Sequence, residues 1–234
     1  MDKLDVDDLL TTPDALHARV RAALAADGTA LRPLPAGIRR AAVLLLLVQA
    51  GGEAALLLTK RSQTVERHKG QISLPGGMVE SGETPRDAAL REASEEIGVR
   101  AEDVTILGLL DDEETVVSGF MLTPFVGTIA YPYPLRISRA EVHSELEAPL
   151  RTLLDPQNVR TEVWADGFGP RTFHVYTVGR DIVWGATARI ILDFLRKVFG
   201  EAAPDGTPGR GGPGRRAGTD GTNRRAERGG PARS

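Results

Sequence analysis

Three carboxylates, Glu92, Glu95 and Glu96, stand at i, i+3 and i+4 in the run PRDAALREASEEI. On a helix they share one face, across an arc of roughly 100°. Like charges at this spacing weaken a helix by about a few tenths of a kcal/mol, so their convergence calls for a counter-charge. Acids that offer only oxygen suit a hard divalent cation, Mg²⁺ or Mn²⁺, and Mg²⁺ commonly fills its shell with water and substrate phosphates. The same run can equally be a solvated acidic face, the ordinary fate of a charge cluster. On the carboxylates alone, both readings stand.

The element that must carry them is legible from its ends. Thr84 suits an N-cap, and Pro85 the first helical position, where its missing N–H is harmless. Gly98 suits the left-handed residue that ends a helix. Ala89, Leu90, Ala93 and Ile97 occupy a separate arc, and the alanines allow close packing on a neighbour. The acidic arc is expected to face away from that contact.

Read with its surroundings, the stretch is Gly76-Gly77, five residues, Glu83, seven residues, then Arg91-Glu92-Ala93-Ser94-Glu95-Glu96-Ile97-Gly98-Val99. This resembles the Nudix box, the signature of hydrolases that cleave nucleoside diphosphates linked to another group. Every charged position and both glycines match, with Ala93 where a larger aliphatic residue is common. The resemblance implies an α+β fold with a mixed β-sheet sandwiched between α-helices. It also implies metal ligation by Glu92, Glu95 and Glu96, with the backbone carbonyl of Gly77 as a further ligand. Glu83 and Arg91 would stand behind them, the arginine holding a carboxylate in place. Glu92 is the first choice for the base, and Glu141, Glu145 and Glu147 are candidates from a later loop.

A second run narrows the expectation. Leu57-Leu58-Thr59-Lys60-Arg61-Ser62, Gly70 and Leu74-Pro75-Gly76-Gly77 resemble the extension upstream of the box in coenzyme A diphosphatases. Arg61, Ser62, Gly70 and Gly76 are the substrate-binding residues this implies. Glu66 stands where that group has arginine, and Leu74 where it usually has phenylalanine. Arg61, Arg67, His68 and Lys69 suit the 3′-phosphate and diphosphate of coenzyme A, whereas by composition they form a plain surface loop. Ile182-Val183-Trp184-Gly185-Ala186-Thr187-Ala188-Arg189 resembles a further segment of the same subfamily, with Trp184 read first as a packing residue.

The rest of the chain sets bounds. With 234 residues, 41% of them hydrophobic, it can bury a core and carry extra segments. Its net charge of −3 gives no argument for a nucleic-acid or membrane partner. The lack of cysteine removes disulfides, thiolate metal sites and a cysteine nucleophile. No apolar run approaches the roughly 20 residues of a membrane span, and MDKLDVDDLL has no signal-peptide pattern. A cytoplasmic protein is the default expectation.

Along the chain, residues 1–37 comprise a short amphipathic helix up to about Asp27, with Pro13 near its start and Leu16, Val20 and Leu24 every four residues, and a connection from Gly28 to Gly37. Residues 38–199 form the expected Nudix domain. Ile38 to Val48 and Ala54 to Lys60 read as a buried hairpin, and Val104 to Leu110 and Phe120 to Ala130 as strands around a polar segment. Glu141 to Glu147 reads as a short strand, and Leu150 to Leu154 as a helical turn. Val159 to Ala165 and Arg171 to Val178 read as a hairpin, and Gly185 to Phe199 as an amphipathic helix. Residues 200–234 carry seven arginines and four acids among glycine and proline, and are expected to be a disordered, solvated tail.

The reading is therefore a Mg²⁺- or Mn²⁺-dependent hydrolase that cleaves coenzyme A or its thioesters to 3′,5′-ADP and 4′-phosphopantetheine derivatives. The nearest alternative is a Nudix enzyme acting on ADP-ribose or NADH, and a more distant one is a non-catalytic nucleotide sensor. Nothing in the sequence specifies an oligomeric state.

Overall fold

A computed structural model of the chain describes residues 5–27, 31–62, 70–115, 119–166 and 169–208. The expected basic residues Arg67, His68 and Lys69, and the tail from 209 onward, lie outside the described residues.

Two helices, α1 (Val6–Thr11) and α2 (Pro13–Asp27), come first. The expected amphipathic helix is α2, with Pro13 at its start, and α1 is a separate short helix because Pro13 disfavours helical backbone at the residue before it. Thr12 is accordingly extended, at φ −114° and ψ 95°. A hairpin follows, β1 (Arg39–Ala50) and β2 (Glu53–Arg61), then two short strands, β3 (Ile72–Ser73) and β4 (Gly76–Met78). Next is helix α3 (Pro85–Ile97), followed by β5 (Thr105–Leu109), β6 (Glu113–Glu114), β7 (Phe120–Thr128) and β8 (Val142–Pro149). The chain closes with α4 (Leu150–Leu154), β9 (Val159–Asp166), β10 (Gly169–Val178), β11 (Asp181–Val183), α5 (Gly185–Phe199) and β12 (Thr207–Pro208).

The main sheet is mixed: β1 runs parallel to β7 and antiparallel to β2 and β4. β2 pairs with β8 on one edge and with β1 on the other. Beyond the Leu46–Leu57 pair, β1 and β2 separate. β3 then continues the pairing with β2, through Lys60 and Thr59, and β4 the pairing with β1, through Ala41 to Val43. This wedge delivers the glycine pair to the centre of the sheet.

β1 is a nearly continuous apolar run because both of its faces are covered. Ala42, Leu44, Leu46 and Val48 pack with Ala88, Ala89, Ala93 and Ile97 of α3. Val43, Leu45 and Leu47 belong to the opposite core, with Leu16, Val20 and Leu24 of α2 and Ile191, Phe194 and Leu195 of α5. The sheet thus lies between helices, as expected for the fold class.

Three further differences from expectation have physical causes. The polar segment after β5 is not merely a connection. Its Asp112 is buried, accepts from Arg40 at 2.8 Å and from Thr123 at 2.6 Å, and also accepts the Arg32 N–H. Trp184, read as core, is only half-buried and caps the start of α5. Residues 200–208, included in the expected disordered tail, are in place: β12 pairs with β9, and Arg196 reaches Asp205 at 3.1 Å.

Candidate metal and diphosphate site

Helix α3 has the expected ends. Thr84 accepts from the Asp87 N–H, Pro85 is in the first turn, and Gly98 is left-handed at φ 72°. Its C-terminal carbonyls are capped from elsewhere in the chain. Arg136 N–H donates to Ile97 O and Ser138 N–H to Glu96 O, both at 2.9 Å.

The acidic arc does not simply face solvent. Glu96 is 2% exposed, Glu92 is half-buried, and only Glu95 is open to solvent. Strand β4 of the wedge lies against the arc, and Gly76 meets its inner end. Glu96 Oε2 accepts from the Gly76 N–H at 3.3 Å, and its Oε1 lies 4.0 Å from Arg61 Nη1. Burial pushes the Glu96 carboxyl up to about 7, a rise that the Gly76 bond and Arg61 oppose and that nearby Glu92 and Glu141 reinforce. Burial also raises Glu92, against the pull of Arg91.

Arg91 is the hub that orders the rest. Its Nε donates to Glu83 at 2.9 Å, its Nη1 to Glu92 at 2.9 Å and Glu95 at 3.1 Å, and its Nη2 to Met78 O at 3.0 Å. This is the planar, multi-donor geometry that only arginine supplies. The bonds from Arg91 hold Glu83 below the usual carboxylate range.

The two glycines act differently. Gly76 has φ 151°, and a Cβ there would lie 2.6 Å from Val43 Cα and closer still to Ala42 O. A Cβ on Gly77 would lie 2.7 Å from Glu92 Oε2 and closer still to its Cδ and Oε1. Backbone and carboxylate are in contact at Gly77 because there is no side chain between them.

Of the substrate-binding expectations, Arg61 points at the acidic cluster, and its Nε is buried without a hydrogen-bond partner among the described residues. Ser62 is buried, and its N–H donates to Glu141 O at 2.8 Å. Gly70, with φ 68°, closes the intervening loop by donating its N–H to Arg61 O. Glu141 is held by its own backbone as well, donating its N–H to Ser138 O. Glu145 is exposed, and Glu147 accepts from the Tyr131 hydroxyl.

Among the described residues, no three acidic or imidazole side chains already converge tightly enough to cage an ion. Glu92, Glu96 and Gly77 are brought together, whereas Glu95 is drawn outward by Arg91. The donor chemistry fits a hard divalent cation nonetheless. Its oxygens are the ligands such ions select, and Glu96 is a buried carboxyl whose nearest cation, Arg61, is 4.0 Å away. Residue types could not reveal the Met78 carbonyl on Arg91 or the backbone donors of residues 136 and 138, since every residue carries those groups.

The described helices include none long and apolar enough to cross a membrane. The sequence profile of the NUDIX domain matches residues 38–161. An uncharacterized Nudix hydrolase, NudL, of Cronobacter sakazakii is 35% identical over 171 residues, covering 68% of this chain and 83% of the relative. The NudL of Citrobacter koseri is 35% identical over 162 residues, with the same coverage. Among solved structures, the Nudix hydrolase RenU of M. smegmatis is 30% identical, with a TM-score of 0.43, covering 49% of this chain and 73% of that one.

Proposed function

Since the chain belongs to the Nudix hydrolase family, and is a pyrophosphohydrolase on that ground, we propose that it cleaves the diphosphate of coenzyme A or its thioesters. The products would be 3′,5′-ADP and a 4′-phosphopantetheine derivative. The observation that carries this reading is Arg61. It belongs to the run that resembles coenzyme A diphosphatases, and it sits beside the acidic cluster with an Nε that has no partner among the described residues. A cation so placed suits an anionic diphosphate entering next to the carboxylates.

Nudix hydrolases generally use divalent metal ions. Here Glu92, Glu95, Glu96 and the Gly77 carbonyl would hold the ion, with Mg²⁺ or Mn²⁺ as the candidates. Such an ion, when bound, neutralises phosphate charge and acidifies a water.

The chain's own residues do the positioning. Arg91, braced by Glu83, keeps Glu92 and Glu95 in fixed directions. Glu92 is our candidate base, because its carboxyl is half-buried and touches Gly77. Glu141 is the other candidate, held at the same cluster by backbone bonds on both sides of its peptide. Arg61, Ser62, Gly70 and Gly76 form the wall that meets the substrate.

The test is a panel of coenzyme A, ADP-ribose and NADH, each with Mg²⁺ and with Mn²⁺, the products being separated by chromatography. Release of 3′,5′-ADP, with the highest kcat/KM for coenzyme A or a thioester, supports the proposal. A preference for ADP-ribose or NADH refutes the substrate, and binding without turnover across the panel refutes the reaction.

A further inference from the structure

A cavity of about 630 Å³ opens between α2 and the ends of three strands. That volume is in the range of small-molecule sites, roughly 300–1,000 Å³. Its floor is a row across the sheet: Leu47 of β1 pairs with Thr128 of β7, which pairs with Thr105 of β5. Directly paired residues share a face, so both threonines lie on the Leu47 side of the sheet, under α2. His17 and Arg21, four residues apart on α2, line the opposite wall, and Gln49 borders it at the end of β1.

The cavity is separate from the acidic cluster. Val43 of β1 pairs with Gly76, and Leu47 is four residues further along, about 13 Å at strand spacing. The floor of the cavity also lies on the face opposite the acidic cluster, since Ala42 packs toward α3 and Leu47 toward α2, and only the rim at Val48, Ile129 and Tyr131 reaches round the strand ends to the α3 side.

The polar lining is unspent. His17, Arg21, Gln49, Thr105 and Thr128 make no side-chain hydrogen bond or ion pair with a described residue. The acid at the rim is already engaged: Asp103 accepts from Arg100 at 2.9 Å and from the Tyr133 hydroxyl at 2.6 Å. Asp14 is exposed in the first turn of α2, where a negative charge favours the helix end. Asp14 and Arg21 are thus the two charged side chains of α2 on the lining, and the guanidinium of Arg21 is the cation among them. Burial and the neighbouring Arg21 lower the pKa of His17 against the opposing pull of Asp14, so its ring offers one donor and one acceptor at neutral pH.

We propose that this cavity is a second small-molecule site, taking an organic anion that carries a carboxylate or phosphate on a compact apolar body. Arg21 supplies the charge and His17 a directional N–H. Thr105, Thr128 and Gln49 bond the polar edge of the ligand, while Leu16, Leu47 and Ile129 cover its body.

The test uses the full chain, freed of metal by a chelator, titrated with benzoate and with phenyl phosphate while amide shifts are followed by NMR. Saturable shifts at Gln49, Thr105 and Thr128, with a Kd below about 1 mM, are expected for at least one probe. The probe that binds identifies the anion as carboxylate or phosphate. Arg21→Glu, a change at an exposed residue, should weaken binding by about tenfold or more while leaving turnover at the acidic cluster unchanged. His17→Ala should also weaken binding. The proposal is overturned if neither probe saturates by about 10 mM, if shifts appear only around Gly76 to Glu96, or if Arg21→Glu binds as the parent does.

Discussion

Adjacent glycines offer a paired experiment, because alanine at the two positions would collide with different things. At Gly76 the new Cβ meets the main chain of β1, 2.6 Å from Val43 Cα, at a φ of 151° that side chains rarely adopt. β1 is held on both edges and cannot withdraw. Strained backbone contributes about 1–3 kcal/mol and overpacking about 1–3 kcal/mol, roughly 2–6 kcal/mol together. At about 2–4 °C per kcal/mol for a chain of this size, Gly76→Ala should lower Tm by roughly 4–24 °C. At Gly77 the Cβ meets only the carboxylate of Glu92, the tip of a side chain that can rotate away. The loss there is a partly exposed ion pair to Arg91, worth about 0–1 kcal/mol, so Tm should move by no more than about 4 °C. Activity should behave in the opposite way. Displacing a ligand carboxylate by about 1 Å can lower the rate about a hundredfold. Thermal melts, kcat/KM on the best diphosphate of the panel, and calorimetric titration with Mn²⁺ would be compared for the two variants. A Gly77→Ala protein with parental turnover and Mn²⁺ affinity would refute the placement of Glu92. One as unstable as Gly76→Ala would refute the packing argument.

Further outcomes follow from the same geometry. Glu96→Gln keeps an acceptor for the Gly76 N–H and removes a buried charge, so it should lose activity by about a hundredfold or more while its metal-free Tm at pH 8 stays level or rises. In the metal-free parent, burial pushes the Glu96 carboxyl up to about 7, from an ordinary 4.5 in the unfolded chain. The unfolded chain therefore binds fewer protons between those values, and stability should fall as pH rises from about 4.5 to 7 and then level off. Melts across that range check the trend, and a shallower slope in Glu96→Gln assigns the share of Glu96, the remainder coming from Glu92, which burial also raises. Arg91→Lys keeps the charge but not the fork that joins Glu83, Glu92 and Glu95, and should lower kcat/KM about 10- to 100-fold with a smaller effect on urea midpoint. Asp112→Ala strands the buried Arg40 guanidinium and should destabilise by about 3–5 kcal/mol in urea unfolding.

Local chemistry made much of the fold readable in advance. The caps of α3, its alanine face and the β1–β2 and β9–β10 hairpins depend on residues within a few positions of one another. Their turn signals and periodicities are therefore written in short windows. The start of α2 was legible for the same reason, since Pro13 opens it and Leu16, Val20 and Leu24 recur within it. At Arg40 and Asp112, 72 residues apart, no local pattern could announce a buried pair.

The sequence by itself determined that three carboxylates would share a helix face, that Arg91 would stand beside them, and that glycines would precede them. These follow from the period of a helix and from residue type. Tertiary structure decided how deep each carboxylate lies. Glu96 is buried and Glu95 exposed because β1 and β2 part and let β4 in against one end of α3. Helical periodicity assigns a direction to a side chain, but burial depends on what a distant segment lays over it, and burial is what raises the Glu96 carboxyl and brings Arg61 beside it.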